Sequence, residues 1–255
     1  MSDRGGAGVP PDLAAALDAV ARRRPLLVAS DYDGVFAPLV DDPSAAVAQP
    51  GVAEALTRLA GMDGVVVALV SGRGVDDLRT TSGFTGPYRW IGSHGAEFDG
   101  PLQGESAGRR DELRDLLHPV VSGIPGARLE VKPAGIAVHV RQVTDRAAGS
   151  ALLERVRTLV DPSLTMKPGK DVLELAVVPA DKGTALRRLR DEVGAAAAIY
   201  LGDDRTDEDG FRALAEDDVT IKVGDGETGA RYRVADPASV VAVLDRLADA
   251  LDVTA

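Results

Sequence analysis

The chain has 255 residues, with 40 acidic and 29 basic side chains and a formal net charge of −11, so it offers no cationic stripe for a phosphate backbone and nucleic acid is not expected as a partner. It contains no cysteine, which excludes a disulfide framework, a thiolate zinc site and a cysteine nucleophile. The length permits one large domain or two modest ones, and with aromatics at 4% the core falls to Val, Leu, Ile and Ala.

Met1 to Pro11 is rich in Gly and Pro and lacks an apolar segment of signal-peptide length, and no later apolar run approaches the roughly 18 residues of a membrane span. A soluble, cytoplasmic protein with no membrane partner is expected, with a monomer as the default. Neither a solenoid-length repeat nor a biased tract longer than Ala195 to Ala198 is present.

The apolar run Leu26 to Ser30 reads as a strand that stops at Asp31-Tyr32-Asp33-Gly34-Val35. In extended backbone, residues i and i+2 share a face, so Asp31 and Asp33 can address one reacting centre. One carboxylate can attack while the other moves protons, provided a cation offsets two like charges held so close. Asp and Gly after a strand are also ordinary turn residues. Val52 to Leu59 has helical spacing, and Val65 to Val70 is an apolar strand running into Ser71-Gly72-Arg73. A helix over Val75 to Leu78 and a strand over Arg89 to Ile91 complete an alternation that predicts βαβ crossovers and a parallel sheet.

The middle of the chain differs. A helix is expected over Arg109 to Leu117, and Arg128 to Gln142 alternates around a hairpin turn at Pro133-Ala134-Gly135. A second helix covers Ala147 to Val160, and an alternating strand covers Asp171 to Val178. Residues 104–179 are therefore expected to form an α+β domain inserted into a core made of residues 1–103 and 180–255. The α/β rhythm then resumes. Asp181 can cap a helix over Lys182 to Val193, whose Leu186, Leu189 and Val193 share a face. Ala197 to Leu201 is a strand ending at Gly202-Asp203-Asp204, Thr206 can cap a helix through Leu214, Thr220 to Val223 is a short strand, and Val240 to Leu251 is a terminal helix.

Four element ends thus present polar residues: Asp31 with Asp33, Ser71, Lys182, and Asp203 with Asp204. Ligands of open parallel sheets bind beyond the carboxyl ends of the strands, so these sets should converge. Singly, Lys182 reads as a surface lysine and Ser71-Gly72-Arg73 as a loop. The run Asp203 to Gly210 has partial EF-hand spacing, with Asp207, Asp209, Gly210 and Glu216, but Arg205 stands at the first ligand position.

In order, DxDG followed by Val, a hydroxyl after a strand, a lysine and GDD resemble the haloacid dehalogenase superfamily. The resemblance implies a doubly wound, Rossmann-like α/β core with Asp31 as nucleophile and Asp33 as general acid and base. Ser71 and Lys182 are implied to hold the phosphoryl group, and Mg²⁺ to be bound by Asp31, the backbone carbonyl of Asp33 and Asp203, with Asp207 acting through water. Asp31-Tyr32-Asp33-Gly34, Ser71-Gly72-Arg73, Gly92-Ser93-His94-Gly95-Ala96-Glu97 and Gly202 to Asp209 further resemble the trehalose-6-phosphate phosphatases over nearly the whole chain.

That resemblance implies an inserted α+β cap and a small sugar phosphate as substrate. Arg73, His94, Glu130, Lys132, Arg141, Lys170 and Glu174 are the implied contacts to it. Charged and bidentate groups suit a disaccharide, which offers many hydroxyls and little apolar surface. The alternative for Glu130 and Lys132 is a cross-strand ion pair on a solvated sheet face. Val35-Phe36 stands where the family usually has Thr-Leu, and Leu-Ala-Val-Val-Pro follows Glu174 where a shorter link is usual. With no glucosyltransferase segment before it, a stand-alone phosphatase is expected. A phosphatase for validoxylamine 7'-phosphate, a glucosylglycerol phosphate or sucrose phosphate is the alternative within the class, and a non-catalytic sugar-phosphate sensor the alternative outside it.

Overall fold

The apolar strands of this chain are too short and too hydrophobic to lie on a surface, so helices cover both faces of the sheet they build. The computed structural model describes residues 8–254; residues 1–7 of the Gly- and Pro-rich N-terminal stretch lie outside that range. In chain order come α1 (Pro11–Val20), β1 (Leu26–Ser30), α2 (Val52–Ala60), β2 (Val65–Val70), α3 (Val75–Ser82), β3 (Arg89–Gly92) and β4 (Glu97–Phe98). Then follow α4 (Gly104–Ser122), β5 (Arg128–Lys132), β6 (Gly135–His139), α5 (Arg146–Leu159), β7 (Thr165–Gly169) and β8 (Val172–Ala176). The chain finishes with α6 (Lys182–Val193), β9 (Ala197–Gly202), α7 (Asp207–Ala213), β10 (Val219–Val223), β11 (Tyr232–Val234) and α8 (Pro237–Val253).

These elements form two compact units. The first runs to Gly100 and resumes at Asp181, and the second is Pro101–Ala180. In the first unit a seven-stranded sheet has the order β11-β10-β9-β1-β2-β3-β4, parallel except for the short β3–β4 pair. Strand β1 shows how one sequence serves two cores. Leu26 and Val28 join Leu13 and Leu17 of α1, Leu56 of α2 and Leu244 of α8 on one face, while Leu27 and Ala29 join Leu186 and Leu189 of α6 and Phe211 on the other. This is a doubly wound α/β sheet.

The chain order reverses about β1, whose neighbours are β2 on one side and β9 on the other. Ser30 is in register with Leu69 of β2 and Leu201 of β9, so Asp31, Ser71 and Asp203 leave one edge of three adjacent strands within two residues of that row. A crevice at such a reversal is where doubly wound sheets bind ligands.

In the second unit the antiparallel order is β5-β6-β8-β7. Ile136, Val138, Leu173 and Leu175 cover one face together with Leu117 of α4 and Val156 of α5. The opposite face holds Arg128, Glu130 and Lys132 of β5, Ala137 and His139 of β6, Glu174 of β8 and Lys167 of β7 on alternate positions.

The helix expected over Val75 to Leu78 continues to Ser82 and ends on left-handed Gly83. Asp181 caps α6 through the Thr184 amide, as its position implied. Thr206 does not cap α7. Its backbone is already helical, and its amide and hydroxyl both donate to Asp204, a tight turn that satisfies the threonine before the helix begins.

Candidate active site

Strand β1 ends in a loop that packs inward. Tyr32, Val35, Phe36 and Ala37 are all buried, and the Tyr32 carbonyl accepts from the amides of Val35, Phe36 and Ala37. This apolar clamp leaves Asp31 no freedom: it is 5% exposed, and its Oδ1 accepts from the Tyr32 amide at 2.7 Å. The turn needs Gly34, which sits at φ +76°, where a Cβ would lie 1.9 Å from Oδ2 of Asp203. Glycine therefore lets the loop after β1 touch the loop after β9.

Lys182, the first residue of α6, is 1% exposed and donates 2.5 Å to Oδ2 of Asp31 and 2.8 Å to Oδ1 of Asp207. Burial works against this ammonium, but the charges of Asp31 and Asp207 outweigh it and hold its pKa above the ordinary lysine value. Burial pushes the Asp31 carboxyl up to about 7, against the pull of Lys182. Asp203 rises to about 6, through burial and then the charges of Asp207 and Asp204.

Oxygens of Asp31, Asp203 and Asp207 lie within 4.8 Å of one another. Three carboxylates outnumber the two buried ammoniums beside them, Lys182 and Lys222, and leave a net negative site of hard oxygen donors, which fits a small divalent cation. The three are not equivalent. Oδ1 of Asp207 accepts from Lys182 and the buried Tyr200 hydroxyl, and Oδ2 accepts from the amides of Asp203 and Asp204. Four donors fill its four lone pairs, so Asp207 holds Lys182 and the loop after β9, while Asp31 and Asp203 are the side chains with oxygens to give. Lys222, 5% exposed, donates to the Asp203 carbonyl and fixes the same loop from the β10 side.

Asp33 follows a different course. Its two oxygens accept from Nε and Nη2 of Arg73 at 2.7 and 2.8 Å, a parallel fork, while Asp31 is tied to Lys182. The same guanidinium reaches the Pro43 carbonyl, Asp77 and Thr81, so every N–H of Arg73 is engaged within the protein. The donors of Arg73, expected as a substrate contact, are committed here to Asp33 and to the loops around it.

Ser71 is buried, and its hydroxyl accepts from the Arg73 amide at 3.2 Å. His94 sits in a left-handed run with Ser93 and Gly95, its amide donating to the Ser71 carbonyl. Its ring lies over Gly72, where a Cβ would be 2.7 Å from Cε1. A cavity of about 470 Å³ is lined by Asp31, Asp33, Ser71, Arg73, His94 and Asp203, with Leu39, Val40 and Pro43 as its apolar wall. The four sets read from sequence thus meet at one edge.

On the polar sheet face of the second unit, Lys132 pairs with Glu174 at 2.5 Å, and Glu130 accepts from His139 at 2.7 Å. Both are thus in cross-strand pairs on the sheet face, with Glu130 also accepting from Arg128 of its own strand at 3.2 Å. Arg141 and Lys170 are exposed and lie beyond the strand ends, off that row. Lys167, which sequence reasoning missed, stands opposite Glu174 in register. Its signal was the alternation Thr165-x-Lys167-x-Gly169, masked by Pro168, which an edge strand tolerates.

The trehalose-phosphatase family profile matches residues 29–238. The chain belongs to the trehalose-phosphatase family. It is 34% identical over 241 residues to a bifunctional trehalose-6-phosphate synthase/phosphatase from Thermoproteus tenax, covering 90% of this chain but 32% of that protein. It is 31% identical over 253 residues to probable trehalose-phosphate phosphatase C from Arabidopsis thaliana, covering 89% of this chain and 78% of that one.

Among solved structures, trehalose-6-phosphate phosphatase from Aspergillus fumigatus superposes with a TM-score of 0.72 at 26% identity, over 92% of this chain and 97% of the other. A haloacid dehalogenase-like hydrolase from Bacteroides thetaiotaomicron shares the fold, with a TM-score of 0.60 at 14% identity over 87% and 98% of the two chains. As a member of this family, the chain is a phosphatase on a haloacid dehalogenase-type core.

The contact of Gly34 with Asp203 sets a test of the site's construction. Gly34→Ala forces a side chain into left-handed backbone and into the Asp203 carboxylate, and should lower unfolding stability by about 1–3 kcal/mol. Urea denaturation measures it, and an unchanged midpoint would show that the loops after β1 and β9 do not pack as described.

Proposed function

We propose that this phosphatase hydrolyses trehalose 6-phosphate to trehalose and phosphate by way of a phosphorylated Asp31. The observation that carries the reading is the buried Lys182, which joins Asp31 to Asp207 beside Asp203 at the reversal point of the sheet, in a chain of this family. Replacing a whole buried ion pair by packed apolar groups is often neutral or better, so stability alone does not account for an ammonium and two carboxylates buried together. The ammonium suits a site that must receive a phosphate dianion among carboxylates.

In the first step an oxygen of Asp31 attacks phosphorus, the bond from phosphorus to the sugar oxygen breaks, and Asp33 gives that oxygen a proton. In the second, water attacks phosphorus, the bond to Asp31 breaks, and the proton from water passes to Asp33. Lys182 and Ser71 orient the phosphoryl oxygens. Asp31 and Asp203, with the Asp33 carbonyl, are the groups that would hold Mg²⁺, which when bound supplies charge neutralisation to a carboxylate and a phosphate brought together. We assign recognition of the sugar hydroxyls to the polar face of the second unit, through Glu130, Lys132 and Glu174.

Three measurements test this. Asp31→Asn should lose at least about a thousandfold in phosphate release from trehalose 6-phosphate while keeping its circular dichroism, because an amide forms no acyl phosphate. Retention of activity above that level would remove Asp31 from the nucleophile's place.

Chelation should abolish turnover and added Mg²⁺ restore it, with Asp203→Ala needing at least about tenfold more Mg²⁺ for half-maximal rate. Full rate in excess chelator would refute the cation site.

Glu174→Ala should lower kcat/KM for trehalose 6-phosphate by about 10- to 100-fold, about 1.4 to 2.8 kcal/mol, and lower that for p-nitrophenyl phosphate by far less. Equal losses would make Glu174 a fold residue. A wild type preferring another phosphorylated disaccharide would keep the chemistry and change the substrate.

A further inference from the structure

The sequence resemblance makes Arg73 a substrate contact, yet its side chain, 9% exposed, spends all of its donors inside the protein. Two of those bonds form a parallel fork on Asp33, from a residue 40 positions away. Pro43, Asp77 and Thr81 take the other bonds, one from the loop after β1 and two from α3. A guanidinium braced on three further sides is a rigid platform, and its fork fits a carboxylate in one orientation only.

We propose that Arg73 is the positioning residue for Asp33, holding its side chain aimed into the cavity for the second step, in which water attacks the phosphorylated Asp31. The proposal rests on the reading of Asp33 as the proton-transfer group. Each carboxylate oxygen has two lone pairs, and the fork uses one on each, so Asp33 keeps an acceptor site on both oxygens for a proton from water. Its side chain is 30% exposed and lines the cavity, so water reaches it. In the step, the water oxygen bonds to phosphorus, the bond from phosphorus to the Asp31 oxygen breaks, the water proton moves to Asp33, and phosphate leaves. Without Arg73 the side chain rotates freely, and a base out of reach forfeits its contribution of about 10²- to 10⁴-fold.

Pre-steady-state kinetics with p-nitrophenyl phosphate isolates that step, because nitrophenolate leaves without a proton and the first step needs no acid. Arg73→Ala should release nitrophenolate in a burst approaching one equivalent per site, larger than that of wild type, and then turn over about 10- to 100-fold more slowly. Asp33→Asn should show the same burst, and the double variant should be no slower than Asp33→Asn by more than about twofold, since the two residues act as one unit. Arg73→Lys, which keeps the charge but cannot present two parallel N–H groups to one carboxylate, should give an intermediate burst; it carries the test should Arg73→Ala not fold.

A burst from Asp33→Asn but a raised KM with no burst from the Arg73 variants would overturn the proposal and return Arg73 to the substrate. Additive losses in the double variant would overturn it as well. No burst from Asp33→Asn would refute the proton-transfer role of Asp33 itself, and the proposal with it.

Discussion

One ammonium holds this site together. Lys182 lies 151 positions from Asp31 and 25 from Asp207, and its Nζ is within hydrogen-bond distance of both carboxylates in a region closed to solvent. A chain with a net charge of −11 has collected carboxylates from the ends of β1 and β9 and from α7 at one edge of its sheet. Without a buried cation that concentration of charge would oppose folding. Such pairs roughly break even in stability, since the desolvation of both partners offsets their attraction. What Lys182 contributes is position: the start of α6 and the end of β1 are fixed relative to each other wherever the segment between residues 31 and 182 goes.

That constraint explains why so much of the first unit was legible and why particular parts were not. Strands β1, β2 and β9 are apolar on both faces and end in polar residues, and burial on both faces of a parallel sheet demands that pattern. Helix α1 escaped notice because Leu13, Leu17 and Val20 are spaced among alanines that give little contrast between faces. Strands β4 and β11 have two and three residues, too few for alternation to register.

Site residues divided along a similar line. Asp31, Ser71, Lys182 and Asp203 stand at element ends, where sequence position implies location. The partners of Arg73 and Asp207 do not follow from spacing, because both depend on which loops the sheet brings together. Tyr200 reads as one more strand aromatic, and its hydroxyl finds Asp207 only because α7 packs back over β9. A motif names candidate chemistry, but which lone pairs are already taken is a tertiary fact. The four donors on Asp207 and the full engagement of the Arg73 N–H groups are two such facts.

The two units also use charge in physically opposite ways. In the first, the side chains of Lys182 and Asp31 are 1% and 8% exposed, and neither can exchange its partner for water without leaving a buried charge uncompensated. In the second, Lys132 and Glu174 are 39% and 42% exposed, and pairs of that kind contribute about 0–1 kcal/mol. A weak pair on a flat sheet face is readily replaced by bonds from the same side chains to hydroxyls, whereas the buried pair is not. Substitutions on the polar face of β5, β6, β8 and β7 therefore cost the fold little, while the sheet edge around Lys182 admits almost none. The fold depends on the buried charge and hardly on the exposed charge.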